Sequence, residues 1–179
     1  MIKILPVKLD VLKEFKSTRL RALQDTPLAF GSTYARESQF TDDDWNARLA
    51  RADGVRGVNF LAWDEVEPAR REPCGIVAGF FEDEKPTDVH LVSMWVAPTH
   101  RRQGVGQLLV NEVIGWAQSR GAERVRLLVT DINVGAIKFY DQLGFEKSGK
   151  VEPYPNDPKL NEFEMICELG QFNRKTANA

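Results

Sequence analysis

Cysteine and histidine are scarce: there are two of each in 179 residues. Cys74 and Cys167 sit far apart in apolar, strand-like stretches, with no second Cys or His at metal-ligand spacing. A disulfide framework, a metal cluster and a nucleophilic thiol therefore give way to two buried core thiols in a reducing compartment. Long hydrophobic runs are missing too. No apolar stretch approaches the ~18 residues that a membrane helix needs. The start, MIKILPVKLD, is broken too soon by Pro6 and by charge to serve as a secretory core. A cytoplasmic protein without a membrane partner is expected. Charge of one sign is not in excess either. A formal net charge of -2 gives no general attraction to a polyanion, so no nucleic-acid partner is expected. What remains is globular composition, 42% hydrophobic and 28% charged, in a chain long enough to bury its own core. We expect one domain over residues 1–170 and a short flexible tail over 171–179.

The apolar periodicity divides this domain into alternating elements. Residues 2–7 read as a first strand. Asp10 then offers an N-cap to a helix whose apolar positions Val11, Leu12, Phe15, Leu20 and Leu23 follow helical spacing and which stops before Pro27. The segment 25–32 (DTPLAFGS) mixes Pro and Gly with apolar residues, as a packed-down loop does. Thr41 and the three aspartates after it cap a second helix through Trp45 and Leu49. Two β-rich runs, 58–63 and 74–81, flank a charged segment, 64–73, that reads as an exposed hairpin loop. A third run, 88–96, ends before Pro98, which cannot donate to a sheet ladder. Helical spacing over 105–117, a strand over 124–129, a short helix over 133–143 and strands at 145–148 and 163–169 complete the order. Hairpins followed by strand–helix–strand imply a central, mostly antiparallel mixed α/β sheet with one parallel crossover and helices on both faces.

One segment stands out chemically. Arg101-Arg102-Gln103-Gly104-Val105-Gly106 lies between a strand and an amphipathic helix. Helix-start amides and the positive end of the helix dipole face outward there. Glycine at 104 and 106 lets the backbone approach a phosphate, and arginine adds charge and donors, so a pyrophosphate fits. The same residues can also be a plain tight turn. A Rossmann site is disfavoured because Leu109 stands where the third glycine would be, and no Gly-Lys-Ser/Thr completes a P-loop. One strand further on comes Asn133, Ala136, Tyr140, Gly144 and Phe145.

Together these residues resemble the GNAT N-acetyltransferase superfamily, whose Arg/Gln-x-x-Gly-x-Gly/Ala loop is matched by Arg101, Gly104 and Gly106. The Asn…Ala…Tyr…Gly-Phe ending is matched as well. The resemblance implies a GNAT-like fold and acetyl-CoA as co-substrate, with no metal. It further implies that the amides of Arg102, Gln103, Gly104, Val105, Gly106 and Gln107 hold the CoA pyrophosphate, and that the backbone of Met94, Trp95 and Val96, often bulged in this family, pairs with pantetheine. Asn133 matches the asparagine that bonds the cofactor arm, and its other reading is a helix N-cap. Tyr140 falls near the expected sulfur, where a phenol can protonate a leaving thiolate, although a tyrosine at such a position also serves as core.

The base that frees the amine is the least visible part. One branch of the family carries a glutamate five residues before the asparagine, where this chain has Leu128. Another carries one on the strand matching 88–96, where His90 falls at about its place, and histidine can do that work. Its alternative is a solvent-facing strand position, and Glu162 and Glu164 are no better marked. The expected function is direct acetyl transfer from acetyl-CoA to a primary amine of a small molecule or protein, with a non-catalytic acyl-CoA sensor as the alternative. The acceptor walls are expected around 27–30, Trp45 and the 152–159 loop. Family habit suggests a homodimer.

Overall fold

Seven strands form one mixed sheet in the order β1-β2-β3-β4-β5-β7-β6, in a computed structural model that describes residues 1–67, 70–82, 85 and 87–170. The strands are β1 (Ile2–Pro6), β2 (Gly57–Glu67), β3 (Arg70–Phe81), β4 (Asp88–Val96), β5 (Arg124–Thr130), β6 (Glu146–Pro153) and β7 (Asn161–Glu168). Every neighbouring pair is antiparallel except β4 and β5, the expected crossover. The expected tail over 171–179 lies outside the described residues.

The helices are α1 (Leu12–Asp25), α2 (Tyr34–Glu37), α3 (Asp42–Ala50), α4 (Val105–Ser119) and α5 (Val134–Gln142). α4 packs against β2, β3 and β4, while α1 packs against β3 and β4 from the other side. On β3 the α4 face is cut back to glycine. A Cβ on Gly75 would stand 2.9 Å from Leu109, and one on Gly79 would stand 2.9 Å from Val113. The missing side chains let α4 sit close to the sheet and bury Val105, Leu109, Val110, Val113, Ile114 and Ala117. On the α1 side, Phe15 and Phe40 meet the Trp45 ring edge-on, so α3 closes over the same core. Thr41 and Asp44 form a reciprocal capping box, with Asp44 N–H donating to Thr41 Oγ1 at 3.2 Å and Thr41 N–H donating to Asp44 Oδ2 at 2.8 Å.

Three local expectations need correction. Asp10 is not a helix cap: it lies inside a 3-10 turn, Leu9–Val11, and α1 begins at Leu12 without a side-chain cap. Within the charged segment 64–73, residues 64–67 and 70–73 are strand rather than loop. β2 and β3 continue to pair through it from Asp64↔Glu72 to Glu67↔Arg70, as a ribbon extending past the body of the sheet. Arg71 and Glu72 are exposed there, charge outweighs apolar residues in the sequence, and Pro73 is accommodated beside a register shift at Ala62/Trp63. β6 also runs to Pro153, five residues beyond its expected end, with most of its side chains exposed for the same reason.

Candidate active site

The centre of the sheet opens into a wedge. β4 and β5 pair only at Asp88↔Arg124, Val89↔Val125 and His90↔Arg126. Beyond that point β4 stays with β3 as far as Val96, and β5 stays with β7 as far as Thr130. A bulge in β4 accompanies the parting: Val92 pairs with Ala78 and Trp95 with Ile76, leaving Ser93 and Met94 opposite Val77 alone. Ser93 has a positive φ of 59°, a conformation that side chains rarely adopt and that bulges concentrate near functional sites. Ion pairs close the narrow end of the wedge. Arg124 Nε donates to the buried Asp88 at 2.9 Å, and Arg126 bridges Glu82 and Glu164.

The cleft in this wedge has a volume of about 1030 Å³ and runs from the start of α4 to the far face of the sheet. At one end of this concavity Arg102 (φ 60°) and Gly104 (φ 82°) border the cleft and bracket Gln103 in the turn that leads into α4. The first-turn amides of α4 have no acceptor within the helix. Nothing stands within 4 Å of where a Gly104 Cβ would be, so this glycine supplies backbone freedom over open space. Gly106 serves another end. Its Cβ would stand 3.1 Å from Phe139 and 3.2 Å from Met94, so its bareness seats α4 against α5 and β4. An anion such as a pyrophosphate fits this concavity.

The expected residues do different things. Arg101 is committed to protein partners: its Nε donates to Val96 O at 3.0 Å and its guanidinium grips Asp25, which also takes the Trp95 indole N–H at 2.8 Å. Gln103 turns away to donate to Thr99 O at 2.8 Å, and Val105 is buried in the core. Met94, Trp95, Val96, Arg102, Gln107, Ala136 and Asn133 all border the cleft. Asn133 caps α5, accepting from Ala136 N–H at 3.2 Å. Tyr140 borders the cleft with its ring packed on Phe139 and Phe145, and burial pushes its phenol above the usual tyrosine range.

His90 stands where β4 and β5 part. Its ring lies against Phe80, and Nδ1 is 3.2 Å from Glu82 Oε1. Burial lowers its proton affinity, and the pull of Glu82 does not restore it. Glu162 borders the same cleft from β7, with its carboxyl raised by burial and then by the charge of Glu152. Of the expected acceptor walls, Phe30 and Pro155 border the cleft, whereas Trp45 is wholly buried. The two segments are stitched together, for Tyr154 Oη and Asn156 Nδ2 both donate to Phe30 O, at 2.8 and 3.0 Å. Sequence reasoning missed Arg19 and Arg48, which border the cleft and meet on Glu37. Neither cysteine borders the cleft; both are buried, and burial pushes the Cys74 thiol up to about 11.

Comparison with known proteins decides the family. The model of the acetyltransferase (GNAT) family matches residues 20–145, well over half of the chain. The chain belongs to the GNAT family. It is 36% identical over 87 residues to an uncharacterized N-acetyltransferase of Methanocaldococcus jannaschii, covering 45% of this chain and 38% of that one. It is 41% identical over 54 residues to a streptothricin acetyltransferase of Streptomyces lavendulae, covering 30% of this chain and 29% of that one. This GNAT chain thus spans well under half the length of those curated relatives. In fold it is similar to an N-acetyltransferase of Staphylococcus aureus, with a TM-score of 0.75 at 18% identity, covering 94% of this chain and 99% of that one. It is also similar to the PaiA N-acetyltransferase of Thermoplasma acidophilum, solved in complex with coenzyme A, with a TM-score of 0.73 at 15% identity and the same coverages.

Proposed function

We propose that this GNAT protein is an N-acetyltransferase that moves an acetyl group from acetyl-CoA directly to a primary amine. The observation that carries the reading is the parting of β4 and β5 after His90↔Arg126, which joins an amide-lined anion cradle to a polar far wall through one continuous cleft. Residues 102–107 hold the pyrophosphate, with Arg102, which has no ion-pair partner among the described residues, supplying charge in place of Arg101, which is taken by Asp25 and Val96. The open backbone edge around the Ser93 bulge receives the pantetheine arm, as an added strand would.

The amine nitrogen attacks the thioester carbonyl from the far wall. A C–N bond forms, the C–S bond breaks, the ammonium proton leaves to a base and the thiolate takes a proton from an acid. Burial holds His90 neutral, and the tautomer that donates Nδ1–H to Glu82 leaves Nε2 as the proton acceptor, directly or through one water. Glu162 is a second base candidate on the same wall, favoured by its raised carboxyl. Tyr140 is the acid: it borders the cleft, its hydroxyl carries a proton at neutral pH, and Phe139 and Phe145 fix its ring.

Thiol release from acetyl-CoA in the presence of a panel of primary amines tests the reading. Amine-dependent release supports it. Tight acetyl-CoA binding without amine-dependent release points instead to a sensor and overturns it.

A further inference from the structure

We propose that the acceptor is an amine that also carries a carboxylate, and that Arg48 holds this carboxylate on the far wall of the cleft while Glu37 and Arg19 position Arg48. This rests on the acetyl-transfer reading above and names the substrate class for the same cleft.

The argument begins with a charge count. Arg19, Glu37 and Arg48 form one cluster at the junction of α1, α2 and α3. Glu37 is 1% exposed and Arg19 is 3% exposed. The carboxylate of Glu37 is saturated: Arg19 Nε donates to Oε2 at 3.0 Å, Arg19 NH2 donates to Oε1 at 2.7 Å and Arg48 NH1 stands 3.1 Å from Oε1. Arg19 is nearly as fully engaged, for its NH1 donates to Ser93 Oγ at 3.3 Å and its guanidinium lies over the Phe30 ring. Two guanidiniums thus share one carboxylate, and the cluster carries a surplus positive charge. A buried surplus is costly unless something answers it.

The surplus falls on Arg48. Among the described residues, Glu37 is the only acid within ion-pair distance of Arg48, and its other charged influences, Arg19 and Arg51, are cations. Burial and then the charge of Arg19 lower its hold on its proton, as expected for a cation short of counter-charge. Its side chain is 30% exposed, and it borders the cleft. One edge of its fork is spent on Glu37, which leaves the other donors for a planar anion.

Position then separates an acceptor carboxylate from a CoA phosphate. The cluster touches Ser93, at the bulge where the wedge opens, and Phe30, on the wall stitched to the 154–156 segment. The turn into α4, by contrast, has a cation of its own in Arg102, which also borders the cleft. The cleft therefore presents a cationic point at Arg48 and proton-accepting points at His90 and Glu162. An amino acid or a related zwitterion matches that pattern. A polyamine does not, because its second ammonium would lie against the surplus charge.

The experiment uses the full chain and acetyl-CoA, following thiol release with matched probes: standard amino acids and β-alanine, each beside its amide and its decarboxylated amine. The expected result is a preference for the free acid of tenfold or more in kcat/KM, expressed in KM. Arg48→Met is expected to bring the acid-to-amine ratio toward one, and Arg48→Lys to recover part of it. The acetyl-CoA dissociation constant of each variant reports whether the rest of the cleft is intact. Wild-type protein that uses decarboxylated amines or polyamines as well as the acids overturns the proposal, whether or not the variants fold. Should no amine be acetylated, the transfer reading fails by itself, and thermal shift of the CoA-bound protein with the same probes still decides the anchor. Stabilisation by acids alone, lost in Arg48→Met, supports it, and equal response to acids and amides overturns it.

Discussion

Replacing Glu37 by glutamine tests the buried cluster through its pH dependence. Burial alone raises the carboxyl of Glu37, but hydrogen bonds from Arg19 and the charges of Arg19 and Arg48 outweigh it and bring it from 4.5 to about 2. A carboxyl that titrates lower in the folded state stabilises the fold above its unfolded pKa, and this stabilisation is lost as pH falls through the folded value. At neutral pH the shift corresponds to about 3 kcal/mol. The substitution keeps the shape and removes the charge, leaving two guanidiniums without their anion, so the loss at pH 7 is ~3–5 kcal/mol. The gap between the two proteins stays nearly level from pH 7 to pH 5, then narrows by about 2 kcal/mol by pH 3 as the wild-type carboxyl takes up a proton in the unfolded chain while it stays largely ionised in the folded protein. Urea unfolding followed by tryptophan fluorescence at these three pH values measures it. Other acids titrate in both proteins, so their contributions cancel in the difference. A gap that is equal at pH 7 and pH 3 refutes the claim that the Glu37 charge holds the cluster together.

Gly104→Asp puts a negative side chain over the α4 amides at a φ of 82°, at a folding cost of about 1 kcal/mol; the protein stays folded and loses the rise in melting temperature that acetyl-CoA otherwise produces. Gly106→Val crowds Phe139 and Met94, already 3.1 and 3.2 Å from a Cβ there, so thermal denaturation should show ~1–3 kcal/mol lost and titration a weaker affinity for acetyl-CoA. Tyr140→Phe keeps the packed ring and removes the proton, so kcat at saturating acetyl-CoA falls ~10²–10⁴-fold while the dissociation constant barely moves, and a kcat within threefold of wild type removes the acid role. Because His90 must be neutral to act and burial lowers its pKa from 6.5, kcat/KM of wild type rises with pH through a value below 6.5; His90→Gln abolishes that limb, whereas a limb that survives there and vanishes in Glu162→Gln transfers the base role.

The readable parts of this protein were those whose chemistry is local in the chain. Gly104 and Gly106 announce a helix start with exposed amides, and Asn133 announces a cap, because each acts within four residues of itself. The ribbon over β2 and β3 is hard to read because charge fills most of the positions 64–67 and 70–73, and such charges look like those of a loop. The far wall of the cleft was hidden for a different reason. Arg19 and Glu37 are 18 residues apart in the chain, and on the sequence each is one more charged residue of an amphipathic segment. Only the fold reveals that they are buried, that Arg48 joins them and that the three charges do not sum to zero. Helical periodicity could have flagged Arg19, for it shares a face with Phe15, Ala22 and Leu23, where the apolar stripe calls for a hydrophobic residue. A cation on the buried face of a helix demands a partner, and a partner that must answer two cations at once leaves one of them turned toward whatever enters the cleft.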